Sequence, residues 1–153
     1  NSNYGIYATV DSATTTYAGY FNGDVTYTGT LASASDAKLK RDVQDFNGAV
    51  DLIKNLQPKT YYFKNEGVAS NISLSNNKQY GFLAQDLEKV FPDLVHVQKQ
   101  PVSLESDEMI EYKGVDYMSL IPVLTQAIKE QQNMIESLQK QVQDLQKQIE
   151  NDK

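Results

Sequence analysis

Ala34-Ser35-Asp36-Ala37-Lys38-Leu39-Lys40 is the stretch on which the reading of this chain turns. Before it the sequence is rich in Tyr, Thr, Ala and Gly; after it come mixed helix and strand patterns and a long heptad repeat. A change of architecture therefore falls on one short polar segment. A serine hydroxyl is a poor nucleophile at neutral pH, and a lysine can take its proton only when burial or positive neighbours favour the uncharged amine. Ser35 and Lys40 are the candidates for nucleophile and general base. Their spacing is awkward inside a regular element, about 140° apart round a helix and on opposite faces of a strand. A short helix capped by Asp36 resolves this. Ser35 then precedes the cap, Lys40 is the fourth helical residue, and those two positions touch as in a hydrophobic staple. The same geometry sets Lys40 near the positive end of the helix dipole beside Lys38 and Arg41, and leaves first-turn N–H groups for a developing oxyanion. The chemistry this implies is cleavage of the chain at its own junction. The bland alternative is a capped helix start with solvated lysines.

The pattern extends beyond the junction. Ser35 to Lys40 is followed by Leu56-Gln57-Pro58-Lys59-Thr60-Tyr61-Tyr62-Phe63, then by Tyr80-Gly81-Phe82-Leu83-Ala84-Gln85-Asp86-Leu87-Glu88 with Phe91-Pro92, and then by Val115-Asp116-Tyr117 leading into Ala127-Ile128-Lys129. In this order and spacing the four motifs resemble the C-terminal intramolecular chaperone domain, or S74 peptidase domain, of phage endosialidase tailspikes and tail fibres, which is shared with the myelin regulatory factor. The resemblance covers roughly residues 33 to 150. It implies a domain that trimerises, drives folding of the β-rich fibre before it, and is cut off by its own serine–lysine dyad. Carried over, the nucleophile is Ser35, the base Lys40 and the scissile bond Ala34–Ser35, with Asp36 and Lys38 as candidate supporting residues. Lys38 stands where the family usually has arginine, a mild departure.

Composition limits the alternatives. With 153 residues the chain holds one modest domain plus appendages too unlike each other to share one core, so oligomerisation would supply the missing burial. The net charge of -6, without a basic cluster, argues against a nucleic-acid partner. Absence of cysteine excludes disulfides and thiolate metal sites. No apolar run approaches the roughly 18 residues that span a bilayer, and no signal peptide opens the sequence. Because residue 1 begins mid-pattern, the expectation is the end of a larger protein. No cofactor and no metal are expected. Glu105, Asp107 and Glu108 lack the glycine and alternating ligands of a calcium loop, and His96, the single histidine, sits in an alternating strand without a second ligand nearby.

The expected fold class is α+β in three parts: a β-rich stalk end over 1–34, an α+β body over 35–116 and a coiled-coil helix over 117–153. In the first part Tyr17/Gly19/Phe21 and Val25/Tyr27/Gly29/Leu31 alternate about Asn22-Gly23-Asp24, a β pattern with too few large apolar groups to stand without neighbours. Leu39, Val43 and Phe46 follow helical spacing, with a strand through Leu39/Arg41/Val43 as the alternative. A helix over 49–56, strands at 60–63 and 80–83, a helix over 84–90 and a hairpin of 94–97 with 109–112 complete the body. The loop 65–78 is Asn/Ser-rich and exposed. Gln85 lies in a motif segment and is given no catalytic role.

Leu124, Ile128, Gln131, Ile135, Leu138, Val142, Leu145 and Ile149 repeat at 4-3-4-3-4-3-4 spacing, a heptad seam on a helix expected from Tyr117 to Glu150. Ile/Val at a and Leu at d, taken alone, lean toward two strands. The family resemblance implies a homotrimer, with Gln131 as a polar layer that fixes register. The functional expectation is an autoproteolytic intramolecular chaperone in a phage tail fibre or tailspike (or on a bacterial surface), its partners being two further copies and the fibre segment of the same protein, with residues 35–153 released after the cut. The competing expectation is a trimeric cap on a fibre or adhesin that never cuts itself.

Overall fold

The computed structural model describes residues 6, 8–10, 18–102 and 108–151, and every structural statement below concerns these. Tyr17, Glu105 and Asp107 lie outside them. The fold is α+β. A 3-10 turn at Ala37–Leu39 is followed by α1 (Ala49–Lys54), β1 (Lys59–Tyr61), a 3-10 turn at Gly67–Asn71, β2 (Gln79–Gly81), α2 (Ala84–Leu87), a 3-10 turn at Pro92–Leu94, β3 (Val95–Pro101), β4 (Met109–Val115) and α3 (Leu120–Asn151). The strands form two separate antiparallel ribbons. One pairs Lys59 with Gly81 through Tyr61 with Gln79, the other Val95 with Val115 through Pro101 with Met109.

Helix α1 is too short to persist on propensity alone and is held by tertiary contacts. Ala49 and Val50 are buried against Ala127 of α3, with Ile53 packed beside them. Two alanines at the contact let the helices approach closely. Gly48, at φ 78°, makes the left-handed entry and brings no capping side chain. Glu130 of α3 supplies the acceptor instead. Its carboxylate receives the N–H groups of Gly48 (2.8 Å), Ala49 (3.2 Å) and Val50 (2.9 Å), and the Gln126 amide at 3.1 Å. The three backbone donors, led by Val50, hold the Glu130 carboxyl below its usual pKa.

α3 begins behind its own cap. Asp116 accepts the Ser119 N–H at 3.2 Å and the Ser119 hydroxyl at 2.6 Å, and these bonds, the hydroxyl's first, lower its pKa. Tyr117 to Ser119, expected as helix, form the turn that leads in. Pro122 falls at the third helical position, where its missing N–H has no intrahelical acceptor to lose, so no break follows. Leu120, Val123 and Ala127 give one face of α3 to the body. Leu87 of α2 and Ile110 of β4 complete the buried apolar set.

Two expectations about the first third of the chain meet a different structure. Residues 40–48 form neither helix nor strand, Asp42 takes φ 53°, and Leu39 and Val43 are exposed. The helical spacing of Leu39, Val43 and Phe46 is real, but only Phe46 meets apolar surface, lining a pocket with Leu52, Val90, Phe91 and Val123, and the exposed Leu39 and Val43 bury too little to repay ordering a helix. Residues 18–34 are exposed and contain no strand. Isolated segments of that composition have no ladder to join within one chain.

Candidate functional site

The junction is organised by one carboxylate. Asp36 caps the 3-10 turn, its Oδ1 accepting the Lys38 N–H at 3.0 Å, while Leu39 N–H donates to the Asp36 carbonyl (3.0 Å) and Lys40 N–H to the Ala37 carbonyl (3.1 Å). The turn ends at Lys40, which is extended at φ -114°, ψ 147°. This reversal carries the Lys40 side chain back over the residue before the cap, and Lys40 Nζ lies 2.8 Å from Ser35 Oγ. The two residues singled out from sequence are thus brought within hydrogen-bond reach, by a turn of different form from the one expected.

That difference has chemical consequences. Lys40 is the C-cap of a three-residue turn rather than the fourth residue of an α-helix, so the expected helix dipole is absent there. The N–H groups of Lys38, Leu39 and Lys40 are engaged within the turn, which removes them as the expected oxyanion donors. Lys38 pairs with Asp36 at 3.2 Å, with the two side chains 76% and 52% exposed, so this ion pair adds little stability. Ser35 and Lys40 are themselves exposed. One chain thus brings the two side chains within hydrogen-bond distance and leaves both open to solvent.

Elsewhere the motif residues serve the body. Tyr117 places its hydroxyl against β2, accepting the Phe82 N–H at 3.0 Å, and its ring stacks on Phe82 at 6.2 Å. Gly81 leaves the space for it: a Cβ there would overlap the Tyr117 hydroxyl. Burial, then the neighbouring Tyr117, raises the Tyr61 pKa. Gln85 is exposed on α2, and His96 pairs with Gly114 in the β3–β4 ribbon. Among the described residues no group of three or more His, Asp or Glu could hold a metal ion, and no helix is long and apolar enough to cross a membrane.

The heptad positions form a second candidate surface. Leu124, Ile128, Ile135, Leu138, Val142, Leu145 and Ile149 are all 47–65% exposed, and Gln131 is exposed among them. They form the stripe beside the Leu120/Val123/Ala127 face given to the body, Leu124 and Ile128 each directly following a body-facing residue. Sequence reasoning found this seam and the Ser35–Lys40 pair. It did not find Glu130 as the cap of α1, although a Gly48 entry without a capping side chain is the signal that an acceptor must come from elsewhere.

Comparison with known proteins bears out the resemblance read from the motifs. Residues 35–96 match the peptidase S74 family, described as chaperone of endosialidase. The chain is also similar to the long tail fibre protein Gp37 of Salmonella phage S16, with 26% identity over 121 residues. That match takes in 78% of this chain and 16% of the relative, so the chain spans a small part of that protein's length.

Proposed function

We propose that this chain, whose residues 35–96 match the chaperone-of-endosialidase family, is the assembly and self-cleaving end of a phage-type tail fibre or tailspike. The observation that carries the reading is the 2.8 Å approach of Lys40 Nζ to Ser35 Oγ at the first residue of the family match. Residues 1–34 are the end of the fibre stalk, 35–116 the chaperone body, and 117–153 the part that contains α3, whose exposed seam gathers three chains. Gathering them raises the local concentration of fibre segments and offsets the loop-closure entropy that slows β-fibre registration.

Assembly then completes the site. A neighbouring copy covers the exposed pair and favours the neutral amine of Lys40, which accepts the Ser35 Oγ proton. The Ser35 oxygen attacks the Ala34 carbonyl carbon, the Ala34–Ser35 C–N bond breaks, and the Ser35 nitrogen takes up a proton. The Ala34 acyl group, now an ester on Ser35, is released by water. Within one chain this is an N-to-O acyl shift; between chains it is an ordinary acyl-enzyme. Residues 35–153 then leave a fibre that stays folded because its template is gone. No cofactor or metal enters the scheme, and the place of action is the virion tail.

A second reading, a trimeric cap that never cuts, is favoured by the exposure of both dyad residues in the single chain. Intact mass followed over time separates the two. Pieces divided at Ala34–Ser35, and their loss in Ser35→Ala and in Lys40→Ala, support the protease. One lasting 17.2 kDa species refutes it in favour of the cap.

A further inference from the structure

The segment upstream of the junction is exposed, yet it is tied to the body at two points. Tyr20 donates its hydroxyl to the Gln100 side-chain oxygen, and Asn22 Oδ1 accepts the Ser73 backbone N–H at 2.7 Å. Gln100 is the one buried polar or charged residue among those described, 2% exposed on β3. A buried carboxamide demands partners, and its oxygen takes the Tyr112 hydroxyl from β4 (3.3 Å) and the Tyr20 hydroxyl from the upstream segment. Ser73 lies in the Asn/Ser-rich loop, where Leu74 N–H closes on the Ile72 carbonyl at 2.9 Å and leaves the Ser73 N–H to Asn22. Ribbon and loop, which have no part in the chemistry at the junction, thus each meet one residue of the same upstream stretch, Tyr20 and Asn22 respectively.

We propose that β3 and the 72–74 turn form a docking site for Tyr20-Phe21-Asn22, which registers the stalk segment on the body of its own chain and holds it there independently of the peptide bond at Ala34–Ser35. The recognised chemistry is a phenol followed two residues later by a carboxamide. The aromatic side chain between them stays outside at 73% exposure, free for a neighbouring strand. Resting on the cleavage reading is one consequence: the cut by itself does not separate fibre from chaperone, and release requires these two contacts to be lost as well.

The docking site is testable without self-cleavage. A recognition site for a sequence-specific protease, inserted after Ala34 of the Ser35→Ala chain, lets the upstream segment be severed at the exposed junction alone. Trypsin would not do this, because Lys64 and Lys78 on either side of the 72–74 turn are exposed as well. The severed piece should co-elute with the body in size exclusion and separate from it in the Tyr20→Phe/Asn22→Ala variant, which alters no buried residue. Before that cut, the Ser73 amide should exchange hydrogen roughly 3- to 10-fold faster in Asn22→Ala, the factor set by the net free energy of one hydrogen bond. A piece that leaves the parent as readily as the double variant, or a Ser73 amide indifferent to Asn22, overturns the proposal whatever becomes of the dyad.

Discussion

Gly81→Ala offers a quantitative test of how α3 is anchored to the β1–β2 ribbon. Gly81 has no positive φ, so alanine is conformationally acceptable there, and at this last residue of β2 it would ordinarily gain up to about 0.5–1 kcal/mol over glycine through the lower entropy of the unfolded chain. The structure reverses that sign. The new methyl group would overlap the Tyr117 hydroxyl, while Tyr117 Cζ and the Tyr61 hydroxyl stand at an ordinary 3.4 Å. Tyr117 must swing away, giving up the Phe82 N–H bond, about 0.5–1.5 kcal/mol, and part of its stacking on Phe82, about another 0.5–1.5 kcal/mol. The losses of about 1–3 kcal/mol, set against the gain of about 0.5–1, leave an expected net cost of roughly 1 kcal/mol in denaturant unfolding at fixed protein concentration. Tyr117→Phe removes only the obstructing oxygen. In that background Gly81→Ala should therefore cost nothing or stabilise, which makes the pair strongly non-additive. Equal costs in both backgrounds would refute the reasoning.

Three other outcomes are expected. Glu130 has a folded pKa below its ordinary 4.5, so its contribution is full above that value and is lost as pH falls through the lower folded value; Glu130→Gln should flatten the acid limb of the stability curve, and an unchanged limb would count against the cap. Replacing Leu138 and Val142 together by Asp should abolish concentration-dependent association in sedimentation and leave the circular dichroism of the body intact, because these side chains are exposed in the single chain. Asp36→Ala should lower the population of the junction turn about fivefold, the effect of losing an N-cap worth roughly 1 kcal/mol, and slow cleavage to match, whereas Asp36→Asn, which keeps the acceptor for Lys38 N–H, should cut at the parent rate.

What each motif does in the fold explains why some were legible and others were not. Periodicity and capping are local, so the N-cap at Asp36, the hairpin carrying His96 and the long helix with its Leu124-to-Ile149 seam could be read without coordinates. The stretch from Leu39 to Phe46 carries a local helical pattern as well. It stays irregular because pattern becomes helix only where another surface buries it, and in the single chain Leu39 and Val43 stay exposed.

The sequence by itself determined that Ser35 and Lys40 can meet, that the chain is α+β and that an apolar stripe runs along its last helix, since all three depend on residues near one another in the chain. Tertiary structure alone decided that Glu130 closes the start of α1, that Gly81 makes room for Tyr117, and that Gln100 and Ser73 receive Tyr20 and Asn22. Each joins groups distant in sequence, where no spacing rule applies and the backbone's unmet donors and acceptors choose their partners only once the elements have packed.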